Sequence, residues 1–450
     1  MSARNAVVLR VAALFWLTTA LALHAHAQPA DPSTGLTTIQ GLTASFEVGG
    51  VKVIHRYAAS SDIVAARLYL LGGTRQVSWD NAGIELLVLE ASERGTRRYP
   101  RDVLRRAMAR LGTSIETSAH SDWSVIGLRA TRSTLDSTWH ILASRVMEPL
   151  LDSSEVELVR RRLLVGVRQR RDSPDALVEF LADSFAFAGH PYAIPPAGTE
   201  QSLARVSVEE LRRYHRQTFV KSRMLLVVVG NAERSWIERL VAQTLALLPA
   251  GDYRWTFPDT LPRRAPSALP VSRNLATNYI FGLYPGPRAD SPDYTALRVA
   301  AAILSGQLFS EIRSRRNLTY AVDAPFLERA IGAGGIYVTT TSPELTVDII
   351  RRQIEALRQG WVDQNGLERL VRQFVTHYFL ENESAVEQAD FLARAQLYQG
   401  DYRAALRFEA NLRSVTPSDV RRAVERYIRD VQFVYLGDTA RAPLRSMQRF

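Results

Sequence analysis

VSVEELRRYHRQTFVKSRMLLVVVGN, residues 206–231, and VTPSDVRRAVERYIRDVQFVYLGD, residues 415–438, are two versions of one unit. Each opens with V-S/T-x-x-[ED]-[LV], continues as a helix and a strand, and stops at Gly followed by Asn or Asp. In the first copy Ser207 and Glu210 have the spacing of a capping box, in which each side chain covers the other's free backbone N–H. In the second, Pro417 occupies the first helical position, where its missing N–H costs nothing. The strands read as Met224–Val229 and Val431–Leu436. The copies start 209 residues apart and their internal spacing differs by two residues. Agreement of cap, length and terminal Gly predicts an internal duplication.

Five prolines fall within Pro249–Pro270, which marks a linker between the copies. The expected organisation is therefore an N-terminal lobe over 37–248, a linker over 249–270 and a C-terminal lobe over 271–450. The fold class is α+β, two layers: each lobe is a mixed, mostly antiparallel sheet packed with helices. Within the first lobe, β-patterned stretches at Thr43–Glu47, Val51–Arg56 and Ile63–Leu71 precede helical patterns at 80–93 and 99–111. Paired strands at 113–119 and 123–130 and helices near 133–148, 153–171 and 174–187 follow.

Residues 1–27 read as an export signal. Arg4 and Arg10 give a basic start, Val11–Leu23 an apolar stretch, and Ala25-His26-Ala27 a cleavage pattern. Thirteen helical residues rise about 20 Å, short of a bilayer's apolar core of roughly 30 Å. The expectation is export to the periplasm, cleavage near Ala27 and no stable membrane insertion, with 28–36 as a flexible leader. The chain has no Cys, so disulfides, thiol catalysis and cysteinyl metal sites are excluded. A net charge of +10 is carried almost wholly by Arg, since Lys occurs only at Lys52 and Lys221. The arginines spread over helix faces such as Arg160, Arg161, Arg168 and Arg171, as solvated surface does, so no nucleic-acid partner is expected.

Six histidines follow the signal, and no two are four residues apart, so no helix offers a His-x-x-x-His zinc pair. No G-x-S-x-G elbow or phosphate loop occurs. Gly332-Ala333-Gly334-Gly335 reads as a turn ahead of a strand. His120 and Asp122 could share a strand face, which leaves a hidden hydrolase as the least favoured option.

Four local stretches, taken with the two-lobed plan, resemble a subunit of the pitrilysin/insulinase zinc peptidases over essentially all of the mature chain. They are GIELLVLEASERGT at 83–96, LGTSIETSAHSDW at 111–123, RQRRDSP at 168–174 and HPYAIPPAGTE at 190–200. The resemblance implies half of that family's clam-shell. It places the first zinc histidine on Leu86, the general-base glutamate on Leu89 and the second histidine on Glu90. The distal ligand falls on Gly166 or, shifted by one, Val167. Leucine and glycine side chains carry no lone pair for Zn²⁺, and Glu90 alone could not activate water. Glu85, Glu90 and Glu93 lie on different faces of one helix, so ion-paired or solvated roles are expected for them.

LFSEIRSRRNLTYAV at 308–322 resembles the second-lobe segment that carries an Arg and a Tyr seven residues apart, here Arg313 and Tyr320. The resemblance implies that this pair binds the substrate carbonyl region. The competing reading makes Arg313 a surface charge and Tyr320 a core aromatic. Peptides would add to an edge strand near Ser114–Ala119, where Glu116 replaces the family's Asn. Missing ligands beside a retained Arg/Tyr pair imply a non-catalytic, substrate-binding subunit with no metal or cofactor of its own. Its partner would be a homologous zinc-bearing peptidase subunit, with a homodimer also open, and its ligand a peptide. The alternative is a scaffold of the same fold with no part in proteolysis.

Overall fold

The computed structural model describes residues 42–260, 263–360, 362 and 364–450. The stretches read as signal, 1–27, and leader, 28–36, lie outside them. β1 (Thr43–Val48) and β2 (Val51–Tyr57) form a hairpin. It turns on Gly49 and Gly50 at φ of 55° and 89°, a region a side chain would disfavour. β3 (Ile63–Leu71), α1 (Ile84–Ala91) and α2 (Arg101–Leu111) follow. Next come β4 (Ser114–Ala119), β5 (Trp123–Thr131), α3 (Leu135–Met147), α4 (Ser153–Asp172) and α5 (Pro174–Ala186). The first copy of the repeated unit supplies α6 (Val208–Thr218) and β6 (Met224–Gly230), and α7 (Arg234–Gln243) follows. The strands assemble in the order β1-β2-β6-β3-β5-β4, with β6 parallel to β2 and antiparallel to β3. Every residue of β6 is buried, because helices cover both faces of the sheet there.

The second lobe begins with β7 (Ser267–Ser272), β8 (Asn278–Arg288) and α8 (Asp293–Leu308). The short strands β9 (Val322–Asp323) and β10 (Phe326–Leu327) both pair with β11 (Ile331–Thr340). α9 (Pro343–Arg358), α10 (Gln364–Glu381) and α11 (Ala385–Gln399) lead to the second repeated unit. That unit is α12 (Pro417–Tyr427) and β12 (Gln432–Gly437). The path β2-β6-β3-β5-β4 recurs as β7-β12-β8-β11-β10, including the parallel closing pair. The expected capping box of Ser207 with Glu210 forms, and the second unit has one too, Thr416 with Asp419.

Three local expectations need correction. β7 begins at Ser267, inside the stretch read as linker, since pairing with β12 outweighs its proline content. Two aromatics of that stretch are pinned: the Arg75 guanidinium lies 4.6 Å from the Trp255 ring centre and that of Arg288 4.2 Å from Phe257. Gly332–Gly335 is the interior of β11, not a turn. A Cβ on Gly334 would sit 2.0 Å from the Tyr284 ring on β8, so glycine here makes room for an aromatic crossing the neighbouring strand.

The lobes also exchange helices, which the boundaries at 248 and 271 do not anticipate. α5 lays Leu177, Val178 and Ala182 against Phe281, Leu283, Val434 and Leu436 of the second sheet. α11 lays Ala389, Leu392 and Ala393 against Tyr69, Val125, Leu225 and Val227 of the first. Ion pairs accompany the exchange: Arg67 with Asp390 at 2.7 Å and Arg329 with Asp183 at 2.9 Å.

Two histidines make the fold acid-sensitive. His55 on β2 is 6% exposed and its Nε2 has no partner among the described residues. Burial pushes its imidazole below the ordinary 6.5, and burial does the same to His215. Below about pH 6.5 the unfolded chain therefore binds protons that the folded chain refuses, and stability falls as pH drops. Urea unfolding at about pH 7.5 and pH 5 is expected to show the lower midpoint in acid, with a smaller drop in His55→Leu. An equal drop in the variant would clear His55 of the effect.

Candidate functional site

α1 opens at Gly83, whose φ of 85° turns the chain from loop into helix. A Cβ there would meet the backbone of Ala197 and Gly198 at 2.9–3.0 Å. The helix buries Leu87, Val88 and Leu89, the last only 1% exposed, while Leu86 and Glu90 are half-buried one turn apart. α4 packs across α1, and β4 runs beside it. Gly166 on α4 faces open space, whereas Val167 points into the core.

Glu90 does not wait for a ligand. Its carboxylate is ion-paired with Arg162 of α4 and accepts a hydrogen bond from Thr117 Oγ1 of β4 at 3.2 Å. Glu85 points into the core, where it meets Arg223 at 3.0 Å and accepts from the Tyr214 hydroxyl at 2.6 Å. Burial and the adjacent Glu85 carboxylate hold Tyr214 well above the usual phenol range. Glu93 is exposed. The three carboxylates are thus separated, as their positions on one helix implied.

A zinc ion does not fit these residues. Leu86 and Leu89 have no donor atoms, Gly166 has no side chain, and a guanidinium already neutralises Glu90. Among the described residues, no group of three or more His, Asp or Glu is placed to hold a metal. His120 and Asp122 do not share a strand face but lie in the β4–β5 turn. His120 is exposed, with Nε2 3.0 Å from Ser118 Oγ. Asp122 turns inward, accepting from the hydroxyls of Tyr192 at 2.8 Å and Tyr398 at 2.9 Å and from the Ala330 N–H at 2.8 Å. A catalytic pair is therefore not assembled there.

Arg313 and Tyr320 are presented differently. α8 runs into a wider π-turn, Phe309–Ser314, a helix form that recurs at functional sites. Arg313 sits on it, its guanidinium 5.1 Å from the Phe309 ring centre. The chain then doubles back through Asn317 at φ 51°, with the Asn317 N–H donating to the Arg313 carbonyl at 3.0 Å. Thr319 is buried and ties down the next turn by accepting from the Ala321 N–H. Tyr320 is thrust outward, 91% exposed. The reading of Tyr320 as a core aromatic is wrong, because Thr319 takes the inward position. Neither side chain has a hydrogen-bond or ionic partner among the described residues. β4, the proposed peptide-binding strand, forms one edge of the first sheet, with Glu116 half-buried.

The Glu90–Arg162 pair and the Asp122 junction were not legible as such in the sequence. A cleft of about 550 Å³ between the 188–191 loop and residues 256–260, lined by Arg75, His190, Asp259 and Arg264, includes none of the expected site residues.

Two duplicated lobes, a helix with Leu86, Leu89 and Glu90 at the expected ligand positions, and a turn carrying half-buried Arg313 and exposed Tyr320 form a shell with no metal-ligand set among the described residues. Residues 52–200 match the family described as Insulinase (Peptidase family M16), and residues 205–374 match its Peptidase M16 inactive domain. The chain belongs to the insulinase (M16) peptidase family. It is similar to mitochondrial cytochrome b-c1 complex subunit 1 of Caenorhabditis elegans, at 20% identity over 84% of each chain. An uncharacterized zinc protease of Mycobacterium bovis is 23% identical over 73% of this chain and 76% of its own. The solved peptidase M16 inactive domain from Pseudomonas fluorescens superposes with a TM-score of 0.81 at 19% identity, covering 88% of this chain and 98% of that one. The resemblance and the α+β two-lobed fold expected from the sequence both hold.

Proposed function

We propose that this chain is the non-catalytic, substrate-binding subunit of a heterodimeric peptidase, exported to the periplasm, whose homologous partner holds the zinc. One contrast carries the reading. The expected ligand positions are filled by leucine, a closed ion pair and a bare glycine, while half-buried Arg313 and exposed Tyr320 sit on a braced turn with no hydrogen-bond or ionic partner among the described residues. A guanidinium donates forked hydrogen bonds to a peptide carbonyl, and a phenol donates one to a developing oxyanion. In this role Arg313 orients the peptide and Tyr320 stabilises charge, with metal and water chemistry left to the partner. Peptides or small unfolded proteins are the substrate class, docked as an added strand.

The test is reconstitution with a zinc-bearing homologue. Activity is expected only on mixing, and Arg313→Ala is expected to lower kcat/KM of the mixture by about 10²-fold, the scale of misplacing a substrate that a forked guanidinium holds. Unchanged activity with Arg313→Ala would sink the assigned role. A second reading, an assembly scaffold with no part in proteolysis, is favoured by the similarity to a cytochrome b-c1 complex subunit. It requires assembly with a partner but no effect of either Arg313→Ala or Tyr320→Phe.

A further inference from the structure

We propose that α2 and the turn before it form a docking surface for an anionic phospholipid bilayer. Between residues 97 and 110 the chain carries six arginines and one acid, Asp102. Only Arg101 finds an ionic partner, Glu155 at 2.8 Å. Arg97, Arg98, Arg105, Arg106 and Arg110 are all exposed and have none among the described residues. Elsewhere the helix arginines are commonly neutralised: Arg162 by Glu90, Arg168 and Arg171 by Glu200, Arg413 by Glu409. Solvated helix surface describes those residues but leaves the charge on α2 uncompensated.

The helix is built to show this charge. Leu104 is its one buried residue, with Ala107, Met108 and Leu111 half-buried on the same side. At about 100° per residue, Arg105 and Arg106 point away from that side, and Arg110 and Val103 flank them. Val103 is 42% exposed. Backbone bonds from the Arg97 N–H to the Glu148 carbonyl and from the Leu150 N–H to the Gly95 carbonyl set Leu150, 46% exposed, beside Arg97. The result is an exposed basic face roughly 15 Å long, edged by aliphatic side chains.

Its chemistry selects the partner. Guanidinium groups fork onto phosphate oxygens, and exposed aliphatics among them enter the headgroup boundary. Arg98 lies over the Tyr99 ring and Arg101 is held by Glu155, but Arg105, Arg106 and Arg110 have no ionic partner among the described residues to fix their direction, so they suit a laterally continuous anionic surface better than a shaped acidic ligand. No helix among the described residues is long and apolar enough to cross a membrane, so the contact is peripheral.

The test is co-sedimentation of the mature chain with phosphatidylcholine vesicles, with or without phosphatidylglycerol, at an ionic strength of about 0.1 M, where charges are felt over about 10 Å. Binding to the anionic vesicles alone is expected. At about fivefold per arginine, Arg105→Glu/Arg106→Glu/Arg110→Glu is expected to weaken it by at least about 100-fold. Arg352→Glu/Arg369→Glu/Arg372→Glu, with the same charge change on α9 and α10, is expected to retain binding. If the first variant melts early, the Arg→Gln triple replaces it. Equal binding to neutral vesicles, equal loss in both variants, or capture by polyglutamate but not by vesicles would each overturn the proposal.

Discussion

Asp122→Ala is expected to lower the unfolding free energy by about 4 kcal/mol, read as a fall in the urea midpoint at unchanged slope. Asp122 is 2% exposed and its carboxylate accepts three hydrogen bonds from three parts of the chain. Tyr192 comes from the loop after α5, Tyr398 from α11 and the Ala330 N–H from the entry to β11. Alanine would leave two hydroxyls and one N–H buried without an acceptor, each costing about 1–3 kcal/mol. Burial, the largest of the causes that hold Tyr398 well above the usual phenol range, persists in the variant, so the tyrosine does not ionise to relieve the loss. Asp122→Asn keeps one acceptor oxygen and should cost less than half as much. Because Tyr398 and Ala330 belong to the second lobe, the loss should also appear as faster hydrogen exchange in α11. A variant as stable as the parent would mean that the lobes are held by the apolar contacts of α5 and α11 alone.

That junction shows where reading the sequence stops. Caps, terminal glycines and strand periodicity are local signals, so the duplicated α6–β6 and α12–β12 units could be read directly, and both form. An apolar stripe on a helix says that it will be covered but not by which sheet. Leu177, Val178 and Ala182 therefore looked like first-lobe core, whereas they cover the second sheet. The same gap hid Asp122, whose partners lie 70, 208 and 276 residues away. It also hid the pairing of Glu90 with Arg162, 72 residues apart, since the sequence shows only one acid and one of many arginines. Gly332–Gly335 misled for a different reason. Glycine marks both turns and strand positions crossed by a bulky neighbour, and only the Tyr284 ring decides between them. At Arg313 and Tyr320 the pattern named the residues, but the exposure of Tyr320 follows from Thr319 taking the inward position.

Restoring the family's general base alone should damage the fold. Leu89→Glu is expected to cost about 4 kcal/mol, through lost apolar burial and a carboxyl placed among Leu87, Val88 and their neighbours. Glu90 is already committed to Arg162 and Glu85 to Arg223, so neither cation is free to pair with the new acid without stranding another carboxylate. The new side chain would stay protonated well above the ordinary carboxylate range, and the destabilisation would deepen as pH rises and ionisation is forced on it. Leu86→His, at a half-buried position one turn back, should by contrast cost under about 1 kcal/mol. Urea unfolding of the two variants at neutral pH separates the cases, and equal midpoints would refute the claim that position 89 has been absorbed into the core. The expected asymmetry bears on the chain's history as much as its chemistry. With a leucine packed at position 89 and Arg162 closed on Glu90, substitution at 89 lowers stability without adding a ligand, whereas Leu86→His adds one at little cost. The Arg313–Tyr320 turn carries no such constraint: Tyr320 is exposed, and Arg313, half-buried over Phe309, has no ionic partner among the described residues.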